Sequence, residues 1–443
     1  MIGYGNSFFI NTVLDSSGSG GNPPVNTVSP VISGNTTLGS LLSSTTGTWT
    51  GTAPITYSYQ WKRNGNDIVG ANSSLYTIQV ADSGAALTCQ VTATNIVGSA
   101  AATSNTITAN TFVAPTNTVA PVISGTQVVG SSLSSTTGTW TGTPLINYTY
   151  QWYRGATLIS GATSSSYTLV QADAGNTSNI TCQVTATNAI GSATATSNTL
   201  AQIFDFDANA FITAASITDN TQKSATNSLT IDLKGYNIWT KFKAIYPIVG
   251  GSASSHAVNL KTPGTFNLTF ASGWTHSANG MTPTNAYADS SLNVLSNLSQ
   301  NSTHISVYIR TNNASNAAAI AASRTYSPSL NLFPNFSGSS YFRVNSNADG
   351  GFSTGASHLG LWVANRISST ETRNYRNTTR YVNSTSSTGL INQNVWLASS
   401  PDFTDYYINQ FSFASIGDGL SDTEAANFYT AVQAYQTTLS RQV

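Results

Sequence analysis

Residues Ser44–Thr52 read STTGTWTGT, and the same nine letters return at Ser135–Thr143. Around this duplicate the spacing holds: Trp49 to Trp140, Trp61 to Trp152 and Tyr76 to Tyr167 are each steps of 91. Cys89 to Cys182 is a step of 93, so the second copy has gained two residues near Asn176–Asn179, and CQVTATN follows intact in both. A chain that repeats itself at this length must fold the same unit twice. The copies run over Val25–Asn110 and Thr116–Gln202. Within each, Tyr57, Tyr59 and Trp61 alternate with polar residues, an Asn64-Gly65 turn follows, and Leu87, Cys89, Val91 and Ala93 alternate again. Period two with one apolar face is the half-buried strand of a sandwich.

YQWKRNG (Tyr59–Gly65) and the run from Asp82-Ser83-Gly84 to Leu87-Thr88-Cys89 resemble strand C, with its core tryptophan, and the entry to strand F of an immunoglobulin-like domain. About seven short strands in ~90–100 residues is that family's pattern. Leu87 stands where the family places its corner tyrosine, and the partner cysteine of strand B is missing. Cys89 and Cys182 therefore read as buried thiols acting as small apolar residues, in keeping with assembly in a reducing compartment. The repeats are similar to bacterial and phage Ig-like domains of the GTWTG…YQW…CxVTATN type, which the resemblance makes spacers or weak adhesion modules.

On either side of the repeats the composition changes. Met1–Leu14 puts Ile2, Tyr4, Phe8, Ile10 and Leu14 on even positions, one apolar face of a strand, and Asp15–Pro24 is a Gly/Ser linker. Residues 1–24 thus read as an anchor strand on a tether that adds to a partner's sheet edge, or else as an edge strand of this chain. The segment has no basic residue and no continuous apolar run, so no secretory leader is expected.

Residues 203–443 share no repeat with the first part and hold 12 of the 16 acidic and 13 of the 16 basic residues. Thr218 can cap a helix whose Ala225, Leu229 and Leu233 recur at i, i+4, i+8, closed by Gly235. Ser421-x-x-Glu424 is a capping box, followed by Ala425, Phe428, Val432, Tyr435 and Leu439 on one helical face. Strand-like runs lie between: Phe266–Phe270, Ile305–Arg310, Tyr341–Asn345, Leu359–Ile367, Asn394–Ala398 and Tyr407–Ser415. Ile217–Gly251, GWTHSANG (Gly273–Gly280), NYRN (Asn374–Asn377) and Phe413–Val443 resemble the concanavalin A-like, laminin G-type jelly roll of phage structural proteins. The expected fold class is all-β: two tandem Ig-like sandwiches, then a larger concanavalin A-like sandwich with a C-terminal helix.

That resemblance raises the question of an enzyme, because the fold hosts lectins and glycoside hydrolases alike. Hydrolysis needs two positioned carboxylates. The whole chain has two glutamates, Glu371 alone in SSTETRN and Glu424 in the capping box. Asp205/Asp207 and Asp402/Asp405 read as loop or strand ends. No catalytic residue is expected. Four histidines, His256, His276, His304 and His358, show no ligand spacing. Asp205-x-Asp207 and Asp418 are the groups that would suggest calcium, but FDFD reads equally as an edge strand with outward acids; no metal or cofactor is expected.

Sugar binding needs less: an aromatic face and a few hydrogen-bonding groups. The candidates are Trp274 and His276, in the Gly/Asn-rich stretch GWTHSANG read as a loop, with Tyr287 and Asp289 just beyond. The alternative for Trp274 is core or interface packing. Trp239, Trp362 and Trp396 read as core, and Tyr375-Arg376-Asn377 as a turn between strands.

Only 7% of residues are charged and the net charge is zero, against about 25% charged in ordinary domains. Without a basic stripe, nucleic acid is an unsuitable partner, and no run approaches the ~18 apolar residues of a membrane helix. A near-neutral surface of hydroxyls and amides suits a protein attached to something large. The sequence thus reads as a non-enzymatic structural protein on a tailed-phage virion surface, in a tail or baseplate fibre or a capsid decoration. It would be held by other virion proteins through Met1–Leu14 and directed at surface glycans, with homo-oligomerisation left open. The rivals are a glycan depolymerase and a bacterial surface adhesin.

Overall fold

The computed structural model describes residues 20–323, 327–353, 357–402 and 405–443; the anchor segment Met1–Leu14 lies outside them. The chain is all-β in class, with two tandem Ig-like sandwiches, a larger two-sheet sandwich and a C-terminal helix. It separates into two compact units. One takes the first sandwich with residues 137–150 and 183–196; the other takes 122–136, 151–182 and everything from 197 on.

In the first sandwich, Ile32–Gly34, Leu41–Ser44 and Leu75–Thr77 form one sheet. Thr56–Arg63, Asn66–Asp67, Ala86–Thr94, Ser99–Thr103 and Ile107–Thr108 form the other. Ala86–Thr94 alternates between half-buried and buried along its length, as its period-two sequence requires. Leu42, Trp61, Leu87, Cys89 and Val91 have no exposed surface. The register sets Trp61 opposite Cys89. The Trp61 ring lies 5.4 Å from Tyr76, and its indole N–H donates to Ser73 O at 2.9 Å.

With no disulfide and no corner tyrosine, a buried aspartate ties this core together. Asp82, fully buried, accepts from Arg63 Nε at 2.6 Å, from the Tyr76 hydroxyl at 2.7 Å and from Gln79 N at 2.7 Å. Burial and the neighbouring carboxylate push the Tyr76 hydroxyl up to about 12. The second copy repeats the arrangement: Asp173 accepts from Arg154 Nε, the Tyr167 hydroxyl and Val170 N at 2.7–2.8 Å. Trp152 again donates to a carbonyl, Ser164 O, at 2.9 Å.

Cys89 and Cys182 are fully buried thiols, and burial raises the pKa of both. The folded protein is therefore expected to be inert to a thiol reagent and to titrate both thiols after denaturation. Either Cys→Ala change should cost ~1–2 kcal/mol, the effect of a small cavity. A thiol that reacts in the native protein would contradict this packing.

The third sandwich lies wholly in the second unit. Its larger sheet runs Trp274–Ser277, Gly280–Pro283, Phe411–Gly417, Thr303–Ile309, Gly360–Arg366, Thr372–Arg376, Thr379–Asn383, with Phe242–Tyr246 also paired to Phe411–Gly417. The second sheet runs Thr269–Phe270, Ala288–Asn293, Asn394–Leu397, Ile320–Ala321, Ser329–Phe336, Ser339–Ser346, Gly350–Ser353. Every pairing among these described strands is antiparallel. Ile305, Val307, Trp362, Ala414 and Ile416 face a core shared with Leu330, Leu332, Phe342, Val395 and Leu397 of the other sheet. Tyr308, Leu361, Val363 and Phe413 point the opposite way, into a second core with Phe211, Leu229, Leu233, Phe428 and Val432 of the helices Phe206–Ala214, Asn220–Gly235 and Asp422–Thr438. The central strands are buried on both faces, polar residues such as His304, Ser306 and Ser415 included.

The Ser421/Glu424 capping box forms as read, with Ala425, Phe428, Val432 and Tyr435 buried. Several readings shift. Asp219, not Thr218, caps the helix Asn220–Gly235, accepting from Gln222 N at 2.8 Å; Gly235 stays helical, and Asn237 takes the left-handed position, φ 58°. FDFD is no edge strand: Asp205 caps the helix Phe206–Ala214, accepting from Asp207 N and Ala208 N. Strand is confined to Thr269–Phe270 in the run 266–270, and to Phe411 onward in the run 407–415. Tyr375 and Arg376 end a strand, and the turn is at Asn377, φ 52°. Trp362 is core, but Trp239 is half-buried with Lys261 Nζ 4.3 Å from its ring centroid.

Candidate functional site

GWTHSANG is a hairpin rather than an irregular loop: Trp274–Ser277 pairs with Gly280–Pro283. Gly280 sits at φ 144°, and a Cβ there would meet Phe411 O at 2.3 Å, so only glycine lets the hairpin join the strand beginning at Phe411. Trp274 is half-buried against Phe270 and Phe411, at 5.4 and 6.0 Å between ring centres. Its indole N–H is used by Tyr287 O at 3.0 Å. His276 lies over the edge of Phe270 at 4.8 Å, and its Nδ1 is 2.9 Å from Nδ1 of the buried His256. One of the two rings must donate and the other accept, so the two cannot be protonated together. Burial, the His276 ring and the Arg441 charge hold His256 down at about 3, and burial lowers His276.

Tyr287 and Asp289 project from the other sheet. Tyr287 lies face to face with Trp396, 3.8 Å between ring centres and 6° between planes. Both rings are half-buried, which corrects the reading of Trp396 as core. Register pairs Asp289 with Trp396 across neighbouring strands. Asp289 accepts from Ser291 N at 2.7 Å and from Asn394 Nδ2 at 3.2 Å. Among the described residues, no cationic side chain lies within ion-pair distance of this carboxylate.

The four residues singled out from sequence therefore divide. Trp274 and His276 are committed to packing at the end of one sheet. Tyr287 and Asp289 stand on the outer face of the other, joined there by Trp396 and Asn394, which the sequence reading missed. The signal was present: in Asn394-Val395-Trp396-Leu397 the inward residues are Val395 and Leu397, which puts the other two outside. A flat aromatic pair flanked by a carboxylate and an amide can take the apolar face of a sugar ring and hydrogen-bond its hydroxyls.

Five other carboxylates that the sequence marked are engaged elsewhere. Glu371 pairs with Arg373 at 2.5 Å, and Glu424 accepts from Ser421 N at 2.8 Å with Lys241 Nζ 3.4 Å away. Lys234 Nζ lies 2.8 Å from Asp205 and 2.7 Å from Asp207, so that pair already holds an ammonium. Asp418 pairs with Lys243 at 3.3 Å. Among the described residues no three His, Cys, Asp or Glu side chains gather as a metal-binding group, and no helix is long and apolar enough to cross a membrane.

No family model and no curated protein matches the chain. Among solved structures it is similar to the I-band fragment I67–I69 of titin (21% identity, 41% of this chain and 66% of that chain, TM-score 0.18). It is similar also to three N-terminal domains of the bacteriophage RB49 Highly Immunogenic Outer Capsid protein, Hoc (18%, 40% and 59%, TM-score 0.21), and to Sidekick-1 immunoglobulin domains 1–5 (15%, 42% and 60%, TM-score 0.15). The chain thus spans under two thirds of each of these three.

Proposed function

We propose that the chain is a non-enzymatic structural protein of a tailed-phage virion surface, in a tail fibre or a capsid decoration, whose terminal, concanavalin A-like sandwich adheres to surface glycans. The virion placement rests on the sequence resemblance of the repeats and of the C-terminal run. The adhesion reading is carried by one observation: the stacked Tyr287–Trp396 pair, with Asp289 and Asn394 beside it, on the outer face of a sheet. The engaged states of Glu371 and Glu424 support binding without hydrolysis, since each proton transfer that a positioned acid or base performs is worth about 10²–10⁴-fold in rate.

A glycan array probed with the full chain tests this. Binding is expected to weaken on the order of tenfold in Trp396→Ala, from loss of an aromatic contact of about 1 kcal/mol, with folding unchanged. Trp274→Ala should instead lower stability. Released reducing ends that disappear in Glu371→Gln would replace the proposal with a depolymerase. Silence on the array would leave a purely structural role.

A further inference from the structure

The second copy of the repeat replaces Ala85–Ala86 of the first with four residues, Asn176–Asn179. In the first copy Ala85 is buried, and its carbonyl accepts from Ala109 N at 3.0 Å. In the second, that pairing passes to Gly175, which exchanges bonds with Ile203 at 2.9 and 2.8 Å, while Ser178 N bonds Ala201 O at 2.7 Å. The ladder is kept, and Asn176 is displaced out of it.

The displaced side chain lies on the helix Asn220–Gly235. Asn176 Nδ2 donates to Ser224 O at 3.2 Å and Ser228 Oγ at 3.0 Å. Its Oδ1 accepts from Gln202 Nε2 at 3.1 Å and Asn227 Nδ2 at 3.3 Å. Both donors and both lone pairs of the amide are thus used. Gln202 Nε2 also reaches Ser224 Oγ at 3.0 Å. Asn227, without exposed surface, donates to Ile203 O at 3.1 Å and accepts from Asp205 N at 2.8 Å.

No linker separates the two folds. Phe204 still belongs to the sandwich, donating to Gln127 O and accepting from Val129 N, both at 2.9 Å. Its neighbour Asp205 is already the cap of the next helix. Relative motion is the default for domains joined by flexible linkers and small interfaces; here the connection has zero length and is clasped from both sides.

We infer that the second repeat is the fixed mount of the C-terminal sandwich and no mere spacer, and that the two inserted residues are the device that clasps it. The inference goes beyond the proposed function and holds whether or not a glycan is bound. It is tested in the full chain by pulsed-EPR distances between spin labels at Thr163→Cys and Thr262→Cys, the buried Cys89 and Cys182 staying unlabelled. A single narrow distance distribution is expected. Its width should grow at least about twofold in Asn176→Ala/Gln202→Ala with the circular dichroism unchanged. Ser224→Ala/Ser228→Ala, which removes the two hydroxyl acceptors on the helix, should broaden it likewise and serves if the first variant folds poorly. A broad distribution in the parent protein, or an unchanged width in these variants, overturns the inference.

Discussion

Between pH 6.5 and 4 the C-terminal sandwich is expected to unfold while both repeat sandwiches stay folded. All four histidines follow residue 250, and the repeats contain none. His304 is fully buried, its Nδ1 2.6 Å from Asp418 O and its Nε2 3.1 Å from Ser415 Oγ; desolvation outweighs those contacts and holds its pKa at about 4. His358, bonded to the Tyr407 hydroxyl at 2.9 Å, is held at about 4 by burial and by the Arg376 charge, and His256 at about 3. In the unfolded chain each would take a proton near pH 6.5. The folded state therefore binds fewer protons, and its stability is complete above pH 6.5 and falls as the pH drops toward 4. At 1.36 kcal/mol per unit, His304 and His358 each remove on the order of 3 kcal/mol, against a total of about 5–15 kcal/mol for a whole domain. Near-ultraviolet dichroism followed against pH should show this loss, and His304→Gln should shift its midpoint downward. A domain that stays intact to pH 3 would mean that these rings are protonated without unfolding.

Asp82→Ala should destabilise the first sandwich strongly while leaving it folded in the absence of denaturant. The change strands the Arg63 guanidinium, the Tyr76 hydroxyl and Gln79 N around an emptied carboxylate site. Breaking one side of a buried ion pair costs about 3–5 kcal/mol; Arg63 keeps 28% of its side chain exposed, which places the expectation at the lower end, ~3 kcal/mol. Tyr76→Phe removes the bond donated to Asp82 and the long one accepted from Arg63 Nη2, and should cost about 1–2 kcal/mol. Urea unfolding of the full chain separates the two, and Asp173→Ala should act in the same way on the second sandwich. A loss under about 1 kcal/mol in Asp82→Ala would show that packing around Trp61 alone replaces the missing disulfide.

The repeats were legible because they are written twice and because half-buried strands alternate; Ala86–Thr94 buries the residues that its pattern marks. The C-terminal helix announced itself through Ser421 and Glu424, a local signal. Asp205 did not. Phe-Asp-Phe-Asp alternates like a strand over four residues, and what makes it a cap is Lys234, 29 residues away, together with Asn227. The strand Ser329–Phe336 was missed for a different reason: Ser329 and Asn331 alternate with Leu330 and Leu332, but Pro334 inside the run reads against a strand. At the candidate site, Tyr287 and Asp289 were found by proximity to Trp274. Their true neighbours, Trp396 and Asn394, come from a strand more than a hundred residues later, and only cross-strand register unites them.

The strand Phe411–Gly417 lies inside the larger sheet of the third sandwich, flanked by Thr303–Ile309 on one side and by both Phe242–Tyr246 and Gly280–Pro283 on the other. On the ribosome, chains fold as they emerge, N-terminal domains first. Each repeat sandwich can close as soon as its own residues, all before position 205, are free of the exit tunnel. The third cannot: roughly two hundred residues, with two-face-buried strands such as Thr303–Ile309 among them, must wait for one late strand to complete their sheet. Long-range pairing of this kind is slow and leaves apolar edges uncovered meanwhile. The sparsely charged, hydroxyl-rich repeats are therefore already folded and tethered to the nascent third domain during its most aggregation-prone interval.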